Sequence, residues 1–217
     1  MTDTATIDTA TLRDWMQRFA DAITANEETL TALDAAIGDA DHGANMTRGM
    51  QAVTAELDAS APNSPATLLK SVGMTLIRSV GGASGPLFGT LFLRMATASG
   101  SVDVLDGGGF ATALRCGIDG VVARGKAEPE DKTMYDALAP AADALESRLA
   151  AGDTTVAALR AAAAAAEAGR DATTALQARK GRASYLGERS IGHQDPGATS
   201  AALLIAAAAD ALAGVGR

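Results

Sequence analysis

Three carboxylates, Asp34, Asp39 and Asp41, fall within eight residues of one another. Gly38 and Gly43 bracket the last two, and His42 and Asn45 follow at once. Aspartates this close repel one another unless a cation sits between them. Carboxylate oxygens are hard ligands, so the cation that suits them is Mg²⁺ or Ca²⁺ rather than zinc. The glycines let the backbone turn sharply and approach a ligand. A plainer reading makes Asp39 and Asp41 turn residues or helix caps on a solvated loop. An EF-hand is a poor match, because its loop is longer and closes on a glutamate, whereas no glutamate lies between Glu28 and Glu56.

Two further stretches suit an anionic ligand. Gly81-Gly82-Ala83-Ser84-Gly85-Pro86 is a small-residue turn entering a helix, where free amides and the Ser84 hydroxyl are available. It is not a Walker A loop, since no Gly-Lys-Ser/Thr follows, and close helix packing explains such a turn equally well. Between 179 and 189 four basic residues cluster, Arg179, Lys180, Arg182 and Arg189, in a chain of net charge −8. That patch could hold anionic groups or be a solvated loop.

The elements that must carry these residues read as helices. Over 8–36, Leu12, Trp15, Met16, Phe19 and Ile23 recur at helical spacing, and Leu30, Leu33 and Ile37 resume the pattern after a break near Asn26. Asp8 or Thr9 can cap the start. Asp34 therefore comes from a helix end, and Asp39 and Asp41 from the loop beyond it. Met46, Met50, Val53 and Leu57 mark a helix over 44–58 whose free N–H groups point at that loop, with His42, Gly43 and Asn45 placed to bind phosphate. Ser64 and Pro65 open a helix to about Val80. Others follow over 85–99, from Asp106 to Arg124, over 133–150 with Thr133 as cap, and from Thr154 or Thr155 to about Ala178. The last begins at Asp195-Pro196, a cap and first-turn pair, and runs to Leu212. The expected fold is all-α: a single domain, 1–217, of about eight antiparallel amphipathic helices with no strand.

Composition narrows the function classes. Hydrophobic residues make up 47% and charged residues 20%, which suits a sizeable core. The acidic balance argues against nucleic acid or an anionic membrane as partner, and a phosphate ligand would need a metal or a local basic patch. Cys116, the lone cysteine, excludes an internal disulfide and reads as a small core residue. No apolar run is read as long enough for a membrane span, and the N-terminus has no signal-peptide pattern, so a cytoplasmic protein is expected.

Taken together, four motifs resemble the nucleotide-binding L subunits of dihydroxyacetone kinase. They are Leu33-Asp34 through Gly38-Asp39-Ala40-Asp41-His42-Gly43-Ala44-Asn45-Met46; Gly81-Gly82-Ala83-Ser84-Gly85-Pro86-Leu87; Gly125-Lys126-Ala127-Glu128 through Asp131-Lys132-Thr133-Met134; and Arg179-Lys180-Gly181-Arg182-Ala183 to Asp195-Pro196-Gly197-Ala198. The likeness runs from about residue 10 to the end. It implies a helical barrel with an ADP or ATP pocket at one end. By the same resemblance Asp34, Asp39 and Asp41 hold two Mg²⁺ ions and, with His42, form the catalytic set. His42, Gly43, Ala44, Asn45, Ala83 and Ser84 would line the phosphates. Gly125, Thr133, Met134, Arg182, Asp195, Pro196 and Gly197 would lie near the base or ribose. The resemblance further implies a kinase subunit active only with a separate K subunit that binds dihydroxyacetone, its ADP recharged by a phosphohistidine protein of the phosphotransferase system. The alternatives are an ATP-exchanging component for another small ketose or polyol, or a nucleotide-binding regulator.

Overall fold

The computed structural model describes residues 6–214. Nine α-helices are present among them: α1 Thr9–Ala25, α2 Glu27–Ile37, α3 His42–Ser60, α4 Pro65–Ser79, α5 Ser84–Ser99, α6 Gly107–Gly125, α7 Tyr135–Ala150, α8 Thr155–Ala172 and α9 Pro196–Gly214. Between α8 and α9 the chain makes 3-10 turns at Thr173–Ala175 and Arg182–Ser190, the second kinked at Gly187. The only β-pairing among the described residues is an isolated antiparallel bridge between Ile7 and Leu105.

Local chemistry starts most of these helices as expected. Asp8, Ser64, Asp106 and Thr154 each accept a backbone N–H of the first turn, and Ser64 with Thr67 completes a capping box behind Pro65. Asn26 ends α1, its side chain donating to the Ala22 carbonyl at 2.8 Å, and α2 restarts at the next residue. Three boundaries differ from expectation. α3 begins at His42 rather than at residue 44, which brings His42 inside the helix. α7 begins at Tyr135, because Glu130 and Lys132 take left-handed φ of 68° and 62° and hold Thr133 outside it. α8 stops at Ala172, where the Thr173 hydroxyl bonds the Arg170 carbonyl at 2.6 Å and the chain tightens into a 3-10 turn.

Neighbouring helices close a ring: α1 packs on α3, α3 on α4, and so on in order to α9, which returns to α1. α2 stands outside the ring, against α3 and α9. Trp15 is 1% exposed and donates its indole N–H to the Leu204 carbonyl at 2.9 Å, tying α1 to α9. Its ring lies 5.7 Å from Phe92 and 5.5 Å from Phe110, and burial of each such ring stabilises by about 1.5–3 kcal/mol. α8 packs on α7 and α9, and Ala158 and Ala162 of α8 and Ala198 and Ala201 of α9 are fully buried.

Two sequence expectations are corrected here. α9 is in fact long and apolar enough to cross a membrane by length and composition, but 67% of its apolar stretch is buried within the barrel. Its alanines are buried because α1, α2, α7 and α8 pack around it. Cys116 is partly exposed on α6 rather than a core residue.

Candidate functional site

Asp34 lies in the last turn of α2 and is 9% exposed. Its Oδ2 accepts the backbone N–H groups of Asp41 at 2.9 Å and His42 at 3.1 Å. It therefore caps α3 from a different helix, where the helix dipole favours negative charge. Asp41 occupies the N-cap position of α3, but its side chain caps no amide. The loop closes tightly: a Cβ at Gly38 would lie 2.0 Å from Asp34 Oδ1, and Ala40 adopts a left-handed φ of 62°. Asp34, Asp39 and Asp41 each offer an oxygen within 4.8 Å of the others. The donor set is all hard oxygen, with too few protein ligands to fill a coordination shell, which fits Mg²⁺ completed by water and phosphate.

The cluster opens on a cavity of about 730 Å³, within the range of small-molecule sites. The cavity lies where α2 and α6 end and α3, α5 and α9 begin. The aspartates, Asn45, Ala83 and Ser84 are among its lining residues. Apolar Leu87, Val121, Ala127 and Met134 also line it, as do Gly125 and Thr133. Arg182 reaches in from the 3-10 segment and pairs with Asp39 at 3.1 Å. Asp195, Pro196 and Gly197 line the cavity as well. Gly43 and Ala44 do not line it. Gly43 is pressed against α2, where a Cβ would meet the Glu27 carbonyl at 2.2 Å, and Ala44 is exposed.

His42 is 7% exposed, with Nε2 2.7 Å from the Ser200 hydroxyl of α9 and Nδ1 3.1 Å from the Ser84 hydroxyl of α5. Burial pushes its pKa below the ordinary histidine value despite Asp34 and Asp41, so the ring is neutral at neutral pH. It thus ties three helix starts together at the cavity. Asn45 accepts from Arg48 Nη2 at 2.5 Å, which leaves its amide NH₂ for the cavity. Asp195 Oδ2 accepts the Ala198 N–H at 2.7 Å and so starts α9. Burial pushes the Asp195 carboxyl up to about 7.

Sequence reasoning missed Lys132, which lines the cavity yet is 1% exposed. Burial pushes its ammonium below the ordinary lysine value, and Asp195 opposes the shift. Arg124 and the apolar lining residues Leu87, Val121 and Ala127 were also unforeseen. Of the four clustered basic residues, Arg179, Lys180 and Arg182 line the cavity and Arg189 does not.

The sequence matches the DAK2 domain over residues 36–210. It is 51% identical over 187 residues to the "PEP-dependent dihydroxyacetone kinase, ADP-binding subunit DhaL" of Escherichia coli, covering 86% of this chain and 89% of that one. It is 40% identical over 199 residues to the "PTS-dependent dihydroxyacetone kinase, ADP-binding subunit DhaL" of Lactococcus lactis, covering 92% and 94%. The fold superposes on the crystal structure of the C. freundii dihydroxyacetone kinase in complex with AMP-PNP and Mg²⁺ with a TM-score of 0.71 at 26% identity. That alignment takes in 97% of this chain and 36% of the longer C. freundii chain.

Proposed function

The chain belongs to the DAK2 domain family, and from that premise we propose that it is the nucleotide-binding, phosphoryl-transferring subunit of a dihydroxyacetone kinase. In this reading it passes the γ-phosphate of ATP to dihydroxyacetone held on a separate K subunit. A phosphohistidine protein of the phosphotransferase system then recharges the ADP in place. The names of the DhaL relatives, which speak of a dihydroxyacetone kinase, of ADP binding and of dependence on PEP or the PTS, support the nucleotide and the link to a phosphotransfer partner. One observation carries the reading: three carboxylate oxygens within 4.8 Å of one another belong to the lining of a nucleotide-sized cavity that also has apolar side chains in its lining.

Asp34, Asp39 and Asp41 would hold the Mg²⁺, two ions in the full assignment. Bound there, Mg²⁺ offsets the phosphate charge that a chain of net charge −8 would otherwise repel. Asn45 and the start of α5 at Ala83-Ser84 would donate to the phosphates. Neutral His42 would keep the starts of α3, α5 and α9 in register. Arg182, Gly125, Thr133, Met134, Asp195, Pro196 and Gly197 would enclose the base and ribose. Such a site works by positioning and electrostatics, with no covalent intermediate on the protein.

The reading includes one domain over 1–217 and a cytoplasmic location. It leaves the sugar to the partner. His42 has both ring nitrogens facing serine hydroxyls, and His193 is exposed and outside the cavity lining. Neither is free to fix a ketone. The test is to mix the chain with Mg²⁺, ATP and dihydroxyacetone, with and without a K subunit, and follow triose phosphate. Turnover is expected only with the K subunit. Turnover by the isolated chain would contradict the division of labour.

A further inference from the structure

Lysine is almost never fully buried unless it is paired, and the site as described above has no use for Lys132. An ammonium has three N–H donors and no acceptor. Lys132 Nζ spends all three on backbone carbonyls, those of Thr173 at 2.8 Å, Leu176 at 3.0 Å and Ser190 at 2.8 Å. These carbonyls belong to the two ends of one segment, 173–190. The segment forms an arm that brings Arg179, Lys180, Arg182 and Tyr185 to the cavity.

The arm rests on the metal loop at its far side. Ala178, Ala183 and Leu186 pack on Ile37 at the end of α2, and Arg182 pairs with Asp39 at 3.1 Å. Near Lys132 its two ends are joined again. The Ala178 N–H donates to Ser190 Oγ at 2.9 Å, and the Gly192 N–H to the Thr174 carbonyl at 2.8 Å. The Arg179 N–H donates to the Asp131 carbonyl at 3.0 Å. Lys132 and Glu130 both hold left-handed φ, at 62° and 68°, a conformation that persists in non-glycine residues only where the surroundings impose it.

We infer that Lys132 is a positioning residue whose buried ammonium staples the two ends of the arm closed over the cavity and so sets how long nucleotide stays bound. The inference rests on the nucleotide reading above. Opening the arm would strip carbonyls from a buried cation, which is costly. A pre-closed arm also loses less freedom when ligand enters, and that favours slow release. Methionine has a similar length and no donor, so Lys132→Met removes the staple. Arginine is no substitute, because its planar fork does not converge on three carbonyls.

The experiment uses the full chain with Mg²⁺ and a fluorescent ADP analogue, chased by excess unlabelled ADP in a stopped-flow instrument. Lys132→Met should release the analogue roughly tenfold faster or more. Hydrogen exchange is followed in parallel. The amides of Ala178, Arg179 and Gly192 should lose protection by roughly tenfold, while those of α4, α5 and α6 keep theirs. If Lys132→Met does not fold, Ser190→Ala tests the same arm, because it removes the acceptor of the Ala178 N–H; it should speed release by about threefold or more. Release within about twofold of wild type with the arm still protected would overturn the inference. So would protection lost equally from the arm and from α4 to α6, which would mark Lys132 as a general core residue. A wild-type chain that binds no ADP analogue would overturn the nucleotide reading and this inference together, whereas normal wild-type binding with an indifferent Lys132→Met overturns the inference alone.

Discussion

Gly38→Ala should disable the metal site through one methyl group. A Cβ at Gly38 would stand 2.0 Å from Asp34 Oδ1, 2.9 Å from Asp34 Cγ and 3.0 Å from the Asp34 carbonyl oxygen. The carboxylate must rotate away. Its Oδ2 is then withdrawn from the amides of Asp41 and His42, which it holds at 2.9 and 3.1 Å. Hydrogen bonds to a charged group contribute about 1.5–3 kcal/mol each. Asp41 is exposed, so water recovers part of the loss, and a net cost of roughly 2–4 kcal/mol follows. For a domain of this size that lowers the melting temperature by about 5–15 °C. The rotated carboxylate also disturbs the three-carboxylate cluster, so Mg²⁺-dependent ADP binding should weaken by roughly tenfold or more, equivalent to about 1.4 kcal/mol. The assay pairs calorimetric melting with ADP titration. Gly152→Ala is the control: its φ of 88° is strained for alanine, but no atom lies within 4 Å. It should lose about 1 kcal/mol and bind ADP normally. A Gly38→Ala chain that melts and binds like wild type would refute the pinned carboxylate.

Two further outcomes follow from the same geometry. Saturating Mg²⁺ and ADP at a hundredfold excess over Kd should stabilise the fold by about 2.7 kcal/mol, a rise of about 5–10 °C in melting temperature that EDTA abolishes; a melt indifferent to both would count against the site. Asp195 has a folded pKa of about 7 against an ordinary value of 3.8, so its contribution to stability is fully present below the lower value and is lost as pH rises through the higher one. The stability of Asp195→Asn relative to wild type should therefore be greater at pH 8 than at pH 5, by roughly 3 kcal/mol, as read from urea unfolding of the nucleotide-free chain; an equal difference at both pH values would show that Asp195 is not held protonated.

What could be read from the sequence was mostly local. Asp8, Ser64, Asp106, Thr154 and Asp195 announce helix starts because a cap needs only its own first turn. The aspartate cluster was visible because its members are neighbours in the chain. The role of Asp34 as a cap borrowed from another helix was not, since it depends on how α2 meets α3. Lys132 was invisible for the same reason: its partners lie 41, 44 and 58 residues away, and a lysine read alone is a surface residue. Gly43 and Ala44 were drawn into the phosphate set by adjacency, but the helical turn that begins at His42 sends one against α2 and the other to solvent. α9 misled in the other direction. Its alanines looked too small-sided to count as an apolar span, and the surrounding helices make them core.

The proposed function requires that nucleotide be held through metal on the three carboxylates. Isothermal titration of ADP into the nucleotide-stripped chain tests this directly, in Mg²⁺ and in EDTA, with wild type and Asp39→Asn. Asp39 pairs with Arg182 only at the surface, an interaction that stabilises by less than about 1 kcal/mol, so the variant should keep its helical content and fold. Wild type should bind ADP in Mg²⁺ and lose that binding in EDTA, and Asp39→Asn in Mg²⁺ should bind roughly a hundredfold more weakly, equivalent to about 2.7 kcal/mol. Equal affinity in Mg²⁺ and EDTA, or an Asp39→Asn chain that binds as tightly as wild type, would contradict the account.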